Sequence, residues 1–228
     1  MPTVVITGAS RGIGLEFVRQ YLDENWIVHA CARDPGNADK LAGLDCDRLK
    51  VHQLDVTNHD QIANVAKSLD GAPVDLLINN AGMWLGEAEA YGRFTDEAWM
   101  EEFRVHVLGT MAMSEALKGN VASSDRKLII NISSGNGRLG WDENGTDYPY
   151  NTSKAALNML TKGLSLELVD KGITVVAFTP GFVATDMSGP DADLSPQESI
   201  AGMKSVIAGL DKASTGAFLR YNGESLPW

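Results

Sequence analysis

Cysteine is nearly missing: Cys31 and Cys46 are the only two in 228 residues. They form neither a disulfide framework nor a metal-ligand spacing. Cys31, inside an apolar run, reads as a small buried hydrophobe. Histidine is scarce too, with His29, His52, His59 and His106 scattered singly, and they suggest no metal site. No run approaches the roughly 20 apolar residues of a membrane helix. An apolar run opening at Thr3 leaves no room for a signal peptide. These absences predict a reducing, cytoplasmic compartment and no membrane partner. Basic residues are outnumbered, 19 Lys and Arg against 30 Asp and Glu, for a net charge of −11. Nucleic acid calls for a basic face and is not an expected partner. A local cluster of arginines could still hold an anionic ligand, and the acidity otherwise serves solubility.

What is there is the composition of an ordinary globular chain, 44% hydrophobic and 21% charged, of a length suited to one domain over residues 1–228. Short apolar runs alternate with helix-length segments. Strands are predicted at Val4–Ile6, Ile27–Ala32, Leu49–Leu54, Val74–Ile78, Leu128–Ile132, Thr174–Phe178 and Ala217–Leu219. Helices are predicted at Ile13–Glu24, His59–Leu69, Thr95–Leu117 and Asn151–Val169, with a late one opened by the capping box Ser195-Pro196-Gln197-Glu198. Near-continuous apolar strands between helices imply an α/β fold, a doubly wound parallel sheet of about seven strands covered on both faces.

Between the first strand and first helix lies Thr7-Gly8-Ala9-Ser10-Arg11-Gly12-Ile13-Gly14. Glycine permits positive φ and close backbone approach, so a pyrophosphate can rest on the helix N-terminus. A glycine trio also suits other tight turns; its place in a βαβ unit favours a dinucleotide. At the end of the second strand, Cys31-Ala32-Arg33-Asp34 puts an arginine ahead of any acid. Arg33 and Arg11 together suit a 2′-phosphate, hence NADPH or NADP. The alternative is a solvated Arg33 and an Asp34 that grips the ribose of NAD.

Tyr150 and Lys154 stand four apart at the start of a predicted helix and share a face. A phenol titrates near 10, too high for an acid–base group at neutral pH, and an adjacent ammonium lowers it. The strand Leu128–Ile132 empties into Ser133-Ser134-Gly135 at the carboxyl edge, where doubly wound sheets bind ligands. A serine hydroxyl there either stabilises a developing oxyanion or caps a turn.

Taken together, the glycine loop, Asn79-Asn80-Ala81-Gly82, Ser134, Tyr150-x-x-x-Lys154 and Pro180-Gly181 resemble the short-chain dehydrogenase/reductase family. The compact length and the ending Phe218–Trp228 are similar to its sniffer-like carbonyl reductases and C-factor-like proteins. The resemblance implies a Rossmann-type domain that moves a hydride between a nicotinamide cofactor and a small carbonyl or alcohol substrate. It casts Tyr150 as general acid or base, Lys154 as the group that lowers its pKa and binds the nicotinamide ribose, and Ser134, rather than Ser133, as the polarising hydroxyl. Asp55 and Val56 would flank the adenine, and Asn80, Ala81 and Gly82 would line the cofactor's middle. Val183 and Thr185, after Pro180-Gly181, would orient its carboxamide. Pairing of the two long helices would give a homodimer or homotetramer.

Two departures stand out. Where the family has asparagine, this chain has His106 before Val107-Leu108-Gly109. It is either a packed helix histidine, a relay residue or a lesion, and His106→Asn is expected to retain or raise turnover. The loop between Ser134 and Tyr150 is long, with Arg138, Trp141, Asp142, Glu143 and Asp147 as substrate wall or solvated excursion. Trp84 and Phe182 are candidate apolar walls, and the few residues between Met187 and Ser195 predict a short lid. A dinucleotide-binding sensor or signalling protein with little catalysis is the competing reading.

Overall fold

The seven predicted runs become strands in a computed structural model that describes residues 1–44, 46–86, 91–140 and 146–228. They are β1 Thr3–Thr7, β2 Ile27–Ala32, β3 Leu49–Gln53, β4 Leu76–Asn79, β5 Leu128–Ile132, β6 Thr174–Thr179 and β7 Phe218–Arg220. The helices are α1 Gly12–Asp23, α2 Asp39–Ala42, α3 His59–Ser68, α4 Asp96–Phe103, α5 Thr110–Ala122, α6 Tyr148–Glu167 and α7 Pro196–Ala208. The sheet order is β3-β2-β1-β4-β5-β6-β7, every pair parallel. The order reverses between β1 and β4, and the crevice at their carboxyl ends is where such sheets take ligands.

Alternation along the strands sends side chains to two cores. Val4 and Ile6 meet Phe17 and Tyr21 of α1 and Ile200 and Met203 of α7. Val5 faces the other way, with Leu77, Ile129 and Val175, onto α3, α5 and α6. Helices on both faces thus follow from central strands that are buried on both sides and mostly apolar.

The predicted helix Thr95–Leu117 is continuous in path but not in winding. A π-helical turn, Arg104–Gly109, separates α4 from α5 and bears His106. Helix α6 starts at Tyr148, earlier than the expected Asn151, with Pro149 in its first turn. The capping box at Ser195 is present as expected. Trp141, Asp142 and Glu143 lie outside the described residues. Among those described, no helix is long and apolar enough to cross a membrane.

The histidines are not all isolated. Parallel pairing of β2 with β3 stacks His29 on His52, with Nδ1 of one 2.9 Å from Nε2 of the other. This contact depends on interstrand register, so single positions did not announce it. Burial, then the neighbouring His52 and Lys50, lowers His29 from 6.5 to about 4. Between those values the unfolded chain binds a proton that the folded chain refuses. Stability from this histidine is therefore full above pH 6.5 and is lost as pH falls toward 4. Urea unfolding across that range should show a shallower loss in His29→Gln than in the unmodified protein; parallel curves would refute the assignment.

Candidate active site

The glycine loop is shaped by what lies against it. Gly8 adopts φ +67°, and a Cβ there would lie 2.8 Å from the Cα of Ala81. A Cβ on Gly14 would come within 2.2 Å of the Gly8 carbonyl oxygen and 2.5 Å of Asn80 Nδ2. The segment after β4 is held there by side chains. Asn80 Nδ2 donates to the carbonyls of Thr7 and Gly8 at 2.8 and 3.1 Å, and Thr7 Oγ1 accepts the N–H groups of Asn80 and Ala81. Helix α1 begins at Gly12, after Ser10 and Arg11 and with Ile13 in its first turn, and no side chain caps it. Its N–H groups and dipole are thus left to a ligand anion, and this cradle fits a dinucleotide pyrophosphate.

The residues around this cradle separate into free and engaged groups. Arg33 is exposed at the end of β2. Asp34 instead turns into the following 3₁₀ turn and accepts from Asn37 Nδ2. Arg11 is exposed and sits 3.8 Å from Asp186 of the segment after β6. Asp55 accepts from Thr57 through both its N–H and hydroxyl, while Val56 is buried against Gly109. Beyond Pro180, whose carbonyl accepts from Ser199 Oγ, Gly181 adopts φ +81°. Val183 is buried and bridges to Leu194, and Thr185 lies against Gly12. The short segment 183–194 therefore leans on the glycine loop.

Ser133 and Ser134 differ in what they have left to give. Ser133 is buried and spends its hydroxyl on Asn158 Oδ1 at 2.6 Å. Ser134 caps the turn Gly135–Gly137 by accepting the N–H of Asn136, so its own hydrogen can point at a substrate. That turn presses on α6: a Cβ on Gly137 would lie 2.8 Å from the Lys154 carbonyl, and Asn158 Nδ2 donates to Gly137. Lys154 donates to the Ile132 carbonyl at 3.1 Å, and its Nζ lies 5.5 Å from the centre of the Tyr150 ring. Burial draws the Lys154 ammonium down to about 8, against the opposing charge of Glu102. The sequence-selected Ser134, Tyr150 and Lys154 thus stand at one end of α6, under the carboxyl edge of β5.

His106 belongs to the same knot. Its Nε2 accepts the N–H of Met83 at 3.0 Å, so Nδ1 carries the proton and donates to Ser153 Oγ at 2.8 Å. Ser153 donates in turn to the Tyr150 carbonyl. The imidazole meets the Tyr150 ring edge-on at 5.7 Å, and burial followed by the Lys154 charge holds its pKa well below the usual value. The neutral ring ties the Gly82-Met83 segment to the helix of Tyr150. An asparagine at 106 reaches where Nδ1 stands but not Nε2, whereas glutamine reaches Nε2. His106→Gln should therefore keep the segment's mobility unchanged by amide exchange at Met83, and His106→Asn should raise it while retaining turnover. Equal protection in both would sink this reading.

Trp84, half exposed, donates to Asp147 Oδ1 at 3.3 Å beside α6, and Phe182 is exposed. Sequence reasoning missed Ser153 and the fully buried Glu102, whose Oε1 accepts the N–H of Leu85 at 3.2 Å. The available signal was spacing alone: Glu102 lies one turn before His106, and Ser153 sits between Tyr150 and Lys154.

The geometry can be set beside known proteins. The family model described as short chain dehydrogenase matches residues 2–194. The C-signal of Myxococcus xanthus is 37% identical over 161 residues, 68% of this chain and 93% of that protein. The carbonyl reductase Sniffer of D. melanogaster superposes with TM-score 0.93 at 27% identity, over all of both chains. An NADPH-bound carbonyl reductase from chicken fatty liver does so with TM-score 0.90 at 33% identity, over 100% of this chain and 99% of that one. With the cradle, the α6 pair and the sheet order all in place, the chain belongs to the short-chain dehydrogenase family.

Proposed function

We propose that the protein is an NADPH-dependent reductase of aldehydes and ketones, able to run in reverse on alcohols. The carrying observation is the buried Lys154 ammonium set 5.5 Å from the Tyr150 ring under the Ser134 turn. Gly8, Ser10, Arg11, Gly12, Ile13 and Gly14 would hold the pyrophosphate end, with Asn80, Ala81, Gly82, Pro180, Gly181, Val183 and Thr185 along the remainder. When bound, the nicotinamide dinucleotide supplies the hydride that reduces the carbonyl carbon.

The chain's own part is proton supply and charge placement. Ser134 donates its free hydroxyl hydrogen to the carbonyl oxygen and polarises the C=O bond. Tyr150 gives its phenolic proton to that oxygen as negative charge grows on it. The Lys154 ammonium stabilises the phenolate left behind, and solvent returns the proton for the next turnover. For the alcohol the same steps run backwards, with Tyr150 as base.

Arg33 and Arg11 support the choice of NADPH, since each can meet a 2′-phosphate with paired N–H donors. Asp34, the alternative ribose ligand, is already engaged by Asn37. Arg33→Ala should weaken NADPH binding by about tenfold and leave NADH nearly unchanged, in line with about 1.4 kcal/mol for one charge-assisted contact. Equal NADPH and NADH affinities in the unmodified protein would overturn the assignment.

The test of the reading is NADPH consumption by purified protein across aldehydes, ketones and diketones. Turnover of at least one class is expected. Tight NADPH binding with no turnover across the panel would favour the second reading, a dinucleotide-dependent signalling protein. The likeness to C-signal and the histidine at position 106 are the observations behind that alternative.

A further inference from the structure

Asn158 takes no part in the steps above, yet it is buried and bonded through both ends of its amide. It lies on α6 four residues after Lys154 and eight after Tyr150, so the three share a face. Helix propensity does not account for it, because asparagine is a weak helix former that favours caps and turns. Burial does not either, since a withdrawn amide is unfavourable unless its hydrogen bonds are made. What accounts for it is the chain packed on this face, the end of β5 and the turn Gly135–Gly137.

The two hydrogen bonds bracket Ser134. Asn158 Nδ2 donates to the Gly137 carbonyl at 3.1 Å, and a carbonyl can only accept, so the amide has one orientation. Its Oδ1 is thereby turned to Ser133, whose hydroxyl donates to it at 2.6 Å. One residue earlier, Lys154 donates to the Ile132 carbonyl. Helix α6 thus ties the chain at Ile132, Ser133 and Gly137, all buried, and Ser134 is the half-buried residue between these ties. A side chain at Gly137 would spoil the arrangement, since a Cβ there would lie 2.9 Å from Asn158 Nδ2. Within the turn, the Asn136 N–H donates to Ser134 Oγ at 3.2 Å.

We propose that Asn158 is a positioning residue of this site: by pinning Ser133 and Gly137 to the helix that carries Tyr150 and Lys154, it fixes the Ser134 hydroxyl relative to that pair. The inference rests on the reading of Ser134, Tyr150 and Lys154 as the working groups. It adds what holds the first of them to the other two. A hydroxyl that donates to a growing oxyanion works best from a fixed place, because no reorientation is then needed as charge develops. Ser134 belongs to a turn and Tyr150 to a helix, so their mutual placement is only as firm as the bonds between those two elements.

The test is a double-mutant cycle of Asn158→Leu with Ser134→Ala in the full-length protein. Leucine is close in size and suits a helix, but it makes neither hydrogen bond. Asn158→Leu should lower kcat for a carbonyl compound about tenfold or more, with KM and NADPH affinity within about twofold. In the Ser134→Ala background the same change should cost less than about twofold, because the hydroxyl it positions is gone. An equal cost in both backgrounds would make Asn158 a general support of the fold and overturn the proposal, as would full kcat in a folded Asn158→Leu variant. If Asn158→Leu does not fold, the cycle is run with Ser133→Ala, which removes the bond from that hydroxyl; unchanged kcat then refutes the proposal. A readout without substrate separates this inference from the enzyme reading. Exchange of the Asn136 amide hydrogen should quicken about tenfold or more in Asn158→Leu, and unchanged protection also refutes the proposal. A protein that turns over nothing yet shows the quickened exchange sinks the reductase reading and leaves the fixing of Ser134 by Asn158 standing.

Discussion

Tyr150→Phe is expected to lower kcat for carbonyl reduction by about 10³-fold, within the range typical of a lost general acid, while NADPH affinity stays within a few-fold. The substitution removes one oxygen and leaves the ring. That ring rests edge-on against His106 and beside the Lys154 ammonium, and phenylalanine preserves both contacts. What disappears is the proton proposed for the substrate oxygen and the phenolate that Lys154 is proposed to stabilise. Ser134 would still polarise the carbonyl, so a residual rate above the uncatalysed one should remain. The pH profile is the sharper measurement. If Tyr150 titrates in the working range, the variant's residual rate loses the limb that phenol ionisation imposes. A Tyr150→Phe protein that keeps a tenth or more of kcat would remove the phenol from the mechanism, and the proton would have to come from elsewhere.

The parts of this site that sequence displayed are those encoded by local pattern. Gly8, Gly12 and Gly14 sit between an apolar run and a helix, and Tyr150 and Lys154 lie one helical turn apart, so chain order alone brings each group together. The sheet was legible for a related reason. β1, β4, β5 and β6 are buried on both faces, so their residues are mostly apolar on both sides and mark a parallel sheet. Ser134 was separable from Ser133 only through the family resemblance; the hydrogen bond from Ser133 to Asn158 could not be read from the sequence.

What stayed hidden depends on tertiary register. Glu102 follows Glu101 in an acidic stretch that reads as a solvated helix face, yet Glu101 is exposed and Glu102 fully buried. The difference arises from the packing of α4 on α6, about 50 residues away in sequence and invisible to a window of helical length. The π-helical turn at Arg104–Gly109 has no compositional mark either. It is a change of winding by one residue, and it occurs where His106 must reach both Met83 and Ser153. His29 and His52 met for the same kind of reason, a neighbour-strand pairing.

The second large effect concerns the cradle. Gly14→Ala should weaken dinucleotide binding by about 100-fold or more and lower Tm by roughly 2–10 °C, the range for 1–3 kcal/mol of overpacking in a chain of this size. Elsewhere in a helix the same change is favourable by up to about 1 kcal/mol, because alanine loses less backbone entropy. The sign is set by the neighbours. The new methyl would lie 2.2 Å from the carbonyl oxygen of Gly8 and 2.5 Å from Asn80 Nδ2. These two atoms are themselves joined by a 3.1 Å hydrogen bond. The first is backbone and the second is an amide tip pinned to the Thr7 and Gly8 carbonyls, so relief must come from moving the glycine loop, the Asn80–Gly82 segment or both. Each such movement displaces groups proposed to line the cofactor. The protein carries its own controls: Gly119 in α5 and Gly163 in α6 are exposed, and a Cβ on either meets nothing within 4 Å. Gly119→Ala and Gly163→Ala should leave dinucleotide affinity untouched and hold or slightly raise Tm. If all three alanine variants bind NADPH equally, the glycine loop is a strand-to-helix turn and nothing more, and the dinucleotide has to be sought elsewhere on the molecule.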